Sequence, residues 1–161
     1  MAELTEAAFS DFYRRDARDV WTYVYRATGN AADADDIVQD AFVRMLRADV
    51  GTLGETDLRR YVFRVAGNLM TDRWRRSGRE RPLPTYEMAA RGTQVDVAET
   101  IDVTHTFGAL KPRERALLWL AYVEEDTHEE IADALGVKRA SVKVLLSRAR
   151  ARLRDLLKGK R

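Results

Sequence analysis

Between residues 138 and 148 the chain gathers Lys138, Arg139, Ser141, Lys143, Val144, Ser147 and Arg148. Arginine and lysine hold phosphates and pair with guanine, serine bonds to bases, and an outward valine touches a thymine methyl. That is the chemistry of reading duplex DNA, not of making bonds. From Lys138 to Arg161 there are ten Lys or Arg against the single Asp155, so binding through this segment should release counterions and weaken steeply with salt. Residue types suited to catalysis are scattered instead. The D-x-D-D of Asp33 to Asp36 is compatible with Mg²⁺, but it stands at a predicted helix start, where acids are favoured electrostatically. No second acidic cluster or phosphate-binding glycine loop accompanies it. His105 and His128 are isolated from each other and from any nucleophile pattern, and the chain has no cysteine, which removes disulfides, thiolate zinc sites and cysteine catalysis together. Neither enzymatic activity, nor a metal, nor a cofactor is expected.

The elements that position the basic residues are legible in the last third. Thr127, His128, Glu129 and Glu130 form a T-x-x-E capping box that starts a short helix, with Ile131, Ala132 and Leu135 on one apolar face. Gly136 and Val137 make the turn. The next helix has its buried seam at Val142, Leu146, Ala149, Leu153 and Leu156. At about 100° per residue, Ala140, Lys143, Val144, Ser147 and Arg148 point away from that seam near the N-terminal end, where a recognition helix meets base edges. Lys138, Arg139, Arg150, Arg152 and Arg154 are better placed for phosphates or solvent. The bland alternative is a three-helix bundle whose charged face is merely solvated.

The first half reads as helical too. Phe9, Phe12, Tyr13, Val20, Val24 and Tyr25 recur at helical spacing until Gly29 and Asn30 break the segment. A second helix is predicted from Asp33, with Ile37, Val38, Ala41, Phe42, Met45 and Leu46 on one face, leaving Asp35, Asp36, Gln39, Asp40 and Arg44 for solvent or a partner. A third runs from about Asp57 to Arg76, with Tyr61, Val62, Val65, Ala66, Leu69 and Met70 mostly inward. Between Arg59 and Arg81 lie eight arginines against two acids, interleaved with Tyr61, Phe63 and Trp74. Aromatic rings stack on unpaired bases while arginines hold phosphates. The alternative is that the rings are core and the arginines decorate a helix C-terminus, where cations are favoured.

The net charge of +2 conceals an uneven distribution: residues 1–81 are neutral overall, 82–109 carry −3 and 110–161 carry +5. Pro82, Pro84, Gly92 and Gly108 punctuate the acidic middle. The expected fold is therefore all-α: two small helical domains, 1–81 and 109–161, joined by a linker over 82–108 with a short helix near Val97 to Phe107, the C-terminal domain being a helix-turn-helix. No run of eighteen apolar residues exists, and the N-terminal MAELTEAAFSDFYRRD lacks a basic region followed by an apolar one. No signal peptide or membrane insertion is expected, and the cytoplasm is the expected location.

Three segments, in this order, resemble bacterial RNA polymerase sigma factors of the sigma-70 family, extracytoplasmic-function group. DADDIVQDAFVRML is similar to that family's core-binding helix, RRYVFRVAGNLMTDRWRR to its minus-10 recognition helix, and the C-terminal block to its minus-35 helix-turn-helix. The resemblance implies a specificity subunit that joins core RNA polymerase and directs initiation at promoter DNA, with an anti-sigma factor as a further partner. It implies that Asp35, Asp36, Gln39 and Asp40 dock on the polymerase clamp helices. Tyr61, Phe63, Asn68, Arg73, Trp74, Arg75 and Arg76 would meet the opened minus-10 strand, and Lys138, Arg139, Ser141, Lys143, Val144, Ser147 and Arg148 the minus-35 element. Three positions depart from the pattern. Gly67 stands where an arginine is common, Val144 and Leu145 where serine and arginine are common, and Lys138 where a capping serine is usual. Two other classes compete. A response-regulator output domain would need a receiver of alternating strands and helices. A sigma-like protein that captures an anti-sigma factor without binding promoters would lack the basic and aromatic faces present here.

Overall fold

The computed structural model describes residues 2–77 and 105–159, and among them every regular element is helical. Helix α1 spans Glu6–Thr28; the Thr5 hydroxyl caps it by accepting from the Ala8 amide at 3.1 Å. Gly29, in the left-handed conformation at φ 69°, closes it. Asn30 then caps α2 (Ala31–Arg47), accepting from the Asp33 amide at 3.0 Å, so the second helix begins two residues before the expected Asp33. Helix α3 covers Glu55–Ser77. These three pack pairwise around Phe12, Val20, Ile37, Met45, Val62 and Met70, all buried. Phe9, Phe12 and Tyr13 of α1 close around the Phe42 ring, with centroids 5.1 to 6.0 Å away, an arrangement that adds ring quadrupole attraction to area burial.

The C-terminal bundle consists of α4 (Pro112–Tyr122), α5 (His128–Leu135) and α6 (Arg139–Lys158). Residues 105–108 are helical as well, and the rest of the expected linker lies outside the described residues. The capping box of α5 forms in both directions: Thr127 Oγ1 accepts from the Glu130 amide at 3.2 Å, and Glu130 Oε1 accepts from the Thr127 amide at 3.1 Å. Gly136, at φ 65°, turns the chain into α6, whose Val142, Leu146 and Ala149 are buried while Leu153 and Leu156 are half-buried.

The two bundles are packed against each other, α4 on α1 and α5 on α3. Arg115 of α4 is fully buried: its guanidinium donates to the Ala27 carbonyl oxygen at 2.7 and 3.0 Å and also to the carbonyls of Gly108 and Leu110. It thereby closes the C-terminal end of α1, where free carbonyls and the negative pole of the helix favour a cation. Arg59 of α3 joins the bundles a second time, reaching Asp16 at 2.6 Å and Asp19 at 3.1 Å on α1 and Glu124, beyond α4, at 2.6 Å. Burial opposes the Arg59 charge, but the bonds to Glu124 and Asp16 outweigh it and hold the guanidinium firmly protonated. No helix among the described residues is long and apolar enough to cross a membrane.

Candidate nucleic-acid and polymerase interfaces

On α6 the reading face forms as the seam requires. Lys138, Arg139, Lys143, Ser147 and Arg148 are exposed, Val144 is 49% exposed, and Ser141 is half-buried with its amide bonded to the Lys138 carbonyl at 2.9 Å. Lys138 occupies the N-cap without a side-chain cap bond, so that position is held by the Gly136 turn and the packing of Val142. Leu145 is half-buried against the core, whereas its neighbour Val144 projects into solvent. Of the residues past the reading face, Arg150 donates to the Tyr122 hydroxyl at 2.9 Å and Arg152 pairs with Glu114 at 3.5 Å, while Arg154 is exposed.

The residues expected to meet an opened strand do not form one platform. Phe63 is only 4% exposed and corrects the sequence expectation. Its ring lies 5.3 Å from that of Tyr23, with the Arg59 guanidinium 4.9 Å from its centroid, so in this arrangement it is core and has no face to offer a base. Arg73 turns toward α2 and pairs with Asp33 at 3.2 Å, and it shares a groove with Arg76, Asp40 and Arg44. Trp74 is half-buried against the core. Tyr61, with Arg64 stacked 5.4 Å from its ring centroid, lines a cleft against the segment from Glu124 to Ala134. Asn68 and Arg75 follow at seven-residue intervals on the same side, toward α5.

Among the described residues, the acids with shifted titration line that cleft. Asp126 is pushed up to about 7 by burial, then by Glu130 and Glu124, with Arg60 and Arg59 opposing. For Glu130, burial also favours the neutral form, but the Thr127 amide and hydroxyl and the Arg60 guanidinium, 2.8 Å away, overcome it and lower its pKa. Burial, and then Asp126 and Glu124, drive the Tyr23 phenol far above its ordinary value.

On α2 the expected polymerase face is exposed throughout. Asp36 and Gln39 are open, Asp40 pairs with Arg44 at 3.1 Å one turn on, and Asp35 accepts from the Trp21 indole at 2.7 Å. Val43 and Leu46, 37% and 38% exposed, lie beside them. Leu46 was expected on the buried face and is instead at its outer edge. Exposed apolar side chains beside acids are the composition of a docking surface with a central anchor; Val43 was the clue that helical spacing offered, since it falls between Asp40 and Arg47.

Comparison with known proteins agrees with this order of elements. The family described as Sigma-70 region 2 matches residues 12–80, and Sigma-70, region 4 matches residues 101–153. An RNA polymerase sigma-E factor of Streptomyces avermitilis is 30% identical over 138 residues, covering 84% of this chain and 76% of that protein. The chain belongs to the sigma-70 family, in its extracytoplasmic-function group. ECF RNA polymerase sigma factor SigE of Mycolicibacterium smegmatis is 30% identical over 159 residues; the match takes in 93% of this chain but spans only 62% of the length of that relative. Among solved structures, the sigma factor RpoE in complex with the anti-sigma factor NepR from Bartonella quintana superposes with a TM-score of 0.69, covering 95% of this chain and 98% of that one. At 19% identity that likeness is one of fold.

Proposed function

We propose that this chain is a specificity subunit that joins core RNA polymerase and directs transcription initiation by reading minus-10 and minus-35 promoter elements. The observation that carries the reading is the α6 face: Lys143, Val144, Ser147 and Arg148 stand exposed together on the first turns of a helix held by a capped helix-turn-helix. Base contacts fall to that face and phosphate contacts to Lys138, Arg139 and Arg154. The exposed α2 surface of Asp36, Gln39, Asp40, Val43 and Leu46 docks on polymerase. Tyr61, Asn68, Arg75 and the basic end of α3 meet the opened strand. In this reading the two functional units are residues 1–81 and 109–161, the chain works in the cytoplasm, and its own residues supply affinity and sequence preference while polymerase performs the chemistry. An anti-sigma factor is a further partner, in line with the Bartonella relative having been captured with one.

Mapping transcript starts on genomic DNA with core polymerase, with and without the purified chain, tests this. A set of starts that depends on the chain and shares an upstream sequence is expected. Absence of any dependent start overturns it in favour of a sigma-like adaptor that captures an anti-sigma factor without binding promoters.

A further inference from the structure

Val144 stands in the middle of the α6 reading face. Val142 and Leu146, two residues to either side, are 0% and 3% exposed, and two helical steps are about 200°, so the seam that buries them turns Val144 to the opposite side. Its neighbours there are Ala140 one turn earlier, Lys143 beside it, and Ser147 and Arg148 one turn later, all exposed. The capping box of α5 and the Gly136 turn fix where α6 begins, so this face has a set rotation. In the free chain Val144 adds nothing to the core, and its branched Cβ disfavours a helix slightly relative to alanine. Its chemistry is suited to a DNA edge. Lys143, Ser147 and Arg148 offer hydrogen-bond donors to base acceptors, whereas Val144 offers only methyls. Against the amino group of cytosine or adenine it would strip water from a polar edge and supply no hydrogen bond in exchange. Against the C5 edge of a pyrimidine it buries apolar surface when that carbon bears a methyl.

We propose that Val144 is a specificity-determining residue that reads a pyrimidine 5-methyl group in the upstream promoter element. The inference rests on the promoter reading above and deepens it, assigning one base position by its methyl rather than by its pairing edge. Thymine and 5-methylcytosine project the same methyl into the major groove, so both are accepted there, and uracil and unmodified cytosine are both disfavoured. Binding at this position therefore responds to cytosine methylation of the DNA. The helix also sets the spacing. At about 1.5 Å per residue, Val144 and Arg148 are about 6 Å apart along the axis, which places the methyl within about two base-pair steps of the base that Arg148 reads. Valine at a position where serine is common thereby acquires a chemical consequence, the exchange of a hydroxyl for methyls on the reading face.

Holoenzyme assembled from core polymerase and the full chain selects duplexes from a library with a randomised minus-35 element. In the best-bound duplex each thymine of either strand is then replaced singly by uracil, and by cytosine or 5-methylcytosine with the partner base changed to match. At one position uracil should weaken binding about fourfold, the scale of one methyl returned to water, and 5-methylcytosine should exceed cytosine by a similar factor. Val144→Ala leaves the seam untouched, so it should close most of both gaps while preferences at other positions persist and helical circular dichroism is unchanged. A 5-methyl also alters the duplex itself, and an effect of undiminished size in Val144→Ala belongs to the DNA or to another side chain and overturns the proposal. A selected element in which no thymine responds to uracil, with preferences elsewhere intact, sinks the methyl assignment alone. Absence of any sequence preference in the library removes it together with the promoter reading.

Discussion

At the scale of single residues, one buried and one half-buried polar group, Arg115 and Asp126, bear on the energetics of the bundle junction. Arg115 is enclosed without exposure, and its planar fork meets the carbonyls of Ala27, Gly108 and Leu110 from one position. Replacing it strands those acceptors in the interior. Arg115→Met, which keeps an unbranched apolar stem, should cost about 3 kcal/mol in urea unfolding. Arg115→Lys should recover little of that, because a point donor cannot replace the fork. Asp126 gives the junction a pH dependence. Its folded pKa of about 7 stands above the unfolded value near 3.8, so the folded state binds its proton more tightly. Its contribution is fully present below about pH 4 and is lost as pH rises through about 7. Asp126→Asn should therefore match the parent in thermal stability near pH 4 and melt higher than the parent at pH 8. Equal melting temperatures at pH 8 would show that the carboxylate is not desolvated in solution.

At the scale of elements, α6 divides along its length. Its seam of Val142, Leu146 and Ala149 turns Ser147 and Arg148 outward in the first half, while Arg154 follows more than a turn later. The two ends should fail differently in binding to a randomised minus-35 duplex library at two salt concentrations. Arg148→Ala should cost about 1 to 3 kcal/mol and relax preference at one base position. Arg154→Ala should weaken all sequences alike and flatten the salt dependence. Because Arg150 and Arg152 are engaged with Tyr122 and Glu114, Arg154 is the cleaner choice for the phosphate arm. Helix α3 divides around its circumference instead. Val62, Phe63, Ala66, Gly67, Leu69 and Met70 are all buried, a wider arc than one neighbour needs, because α1 and α2 take one side and α5 the other.

At the scale of the whole molecule, the α2 surface lies apart from the junction and should serve assembly whether the bundles are together or apart. Charge reversal with Asp36→Lys and Asp40→Lys should weaken core polymerase binding at least about tenfold while leaving duplex affinity unchanged. Among the described residues Asp40 pairs with Arg44 on its own helix, both well exposed, and such a pair contributes about 0.3 to 0.5 kcal/mol. The helix should therefore stay folded by circular dichroism, and equal polymerase affinity in the double variant would remove this surface from the assembly.

The sequence by itself determined what depends on near neighbours along the chain. Gly29 and Asn30 end one helix and begin the next, Thr127 and Glu130 cap α5, Gly136 turns it, and the Val142 to Ala149 seam sets which side of α6 faces solvent. Caps and helical periodicity act within one or two turns, so residue types at fixed spacing suffice to specify them. Only the tertiary structure decided which neighbour each face meets. Phe63, one residue from the inward Val62, goes to the core against Tyr23 rather than to a base. Arg73 turns to α2 and Asn68 to α5 although both belong to one basic helix. Gly67, in sequence a lapse in helix propensity, becomes the point where two backbones touch. These outcomes depend on residues as distant in the chain as Ala134, and no periodicity within α3 encodes which of its several apolar and polar sides a second bundle will cover.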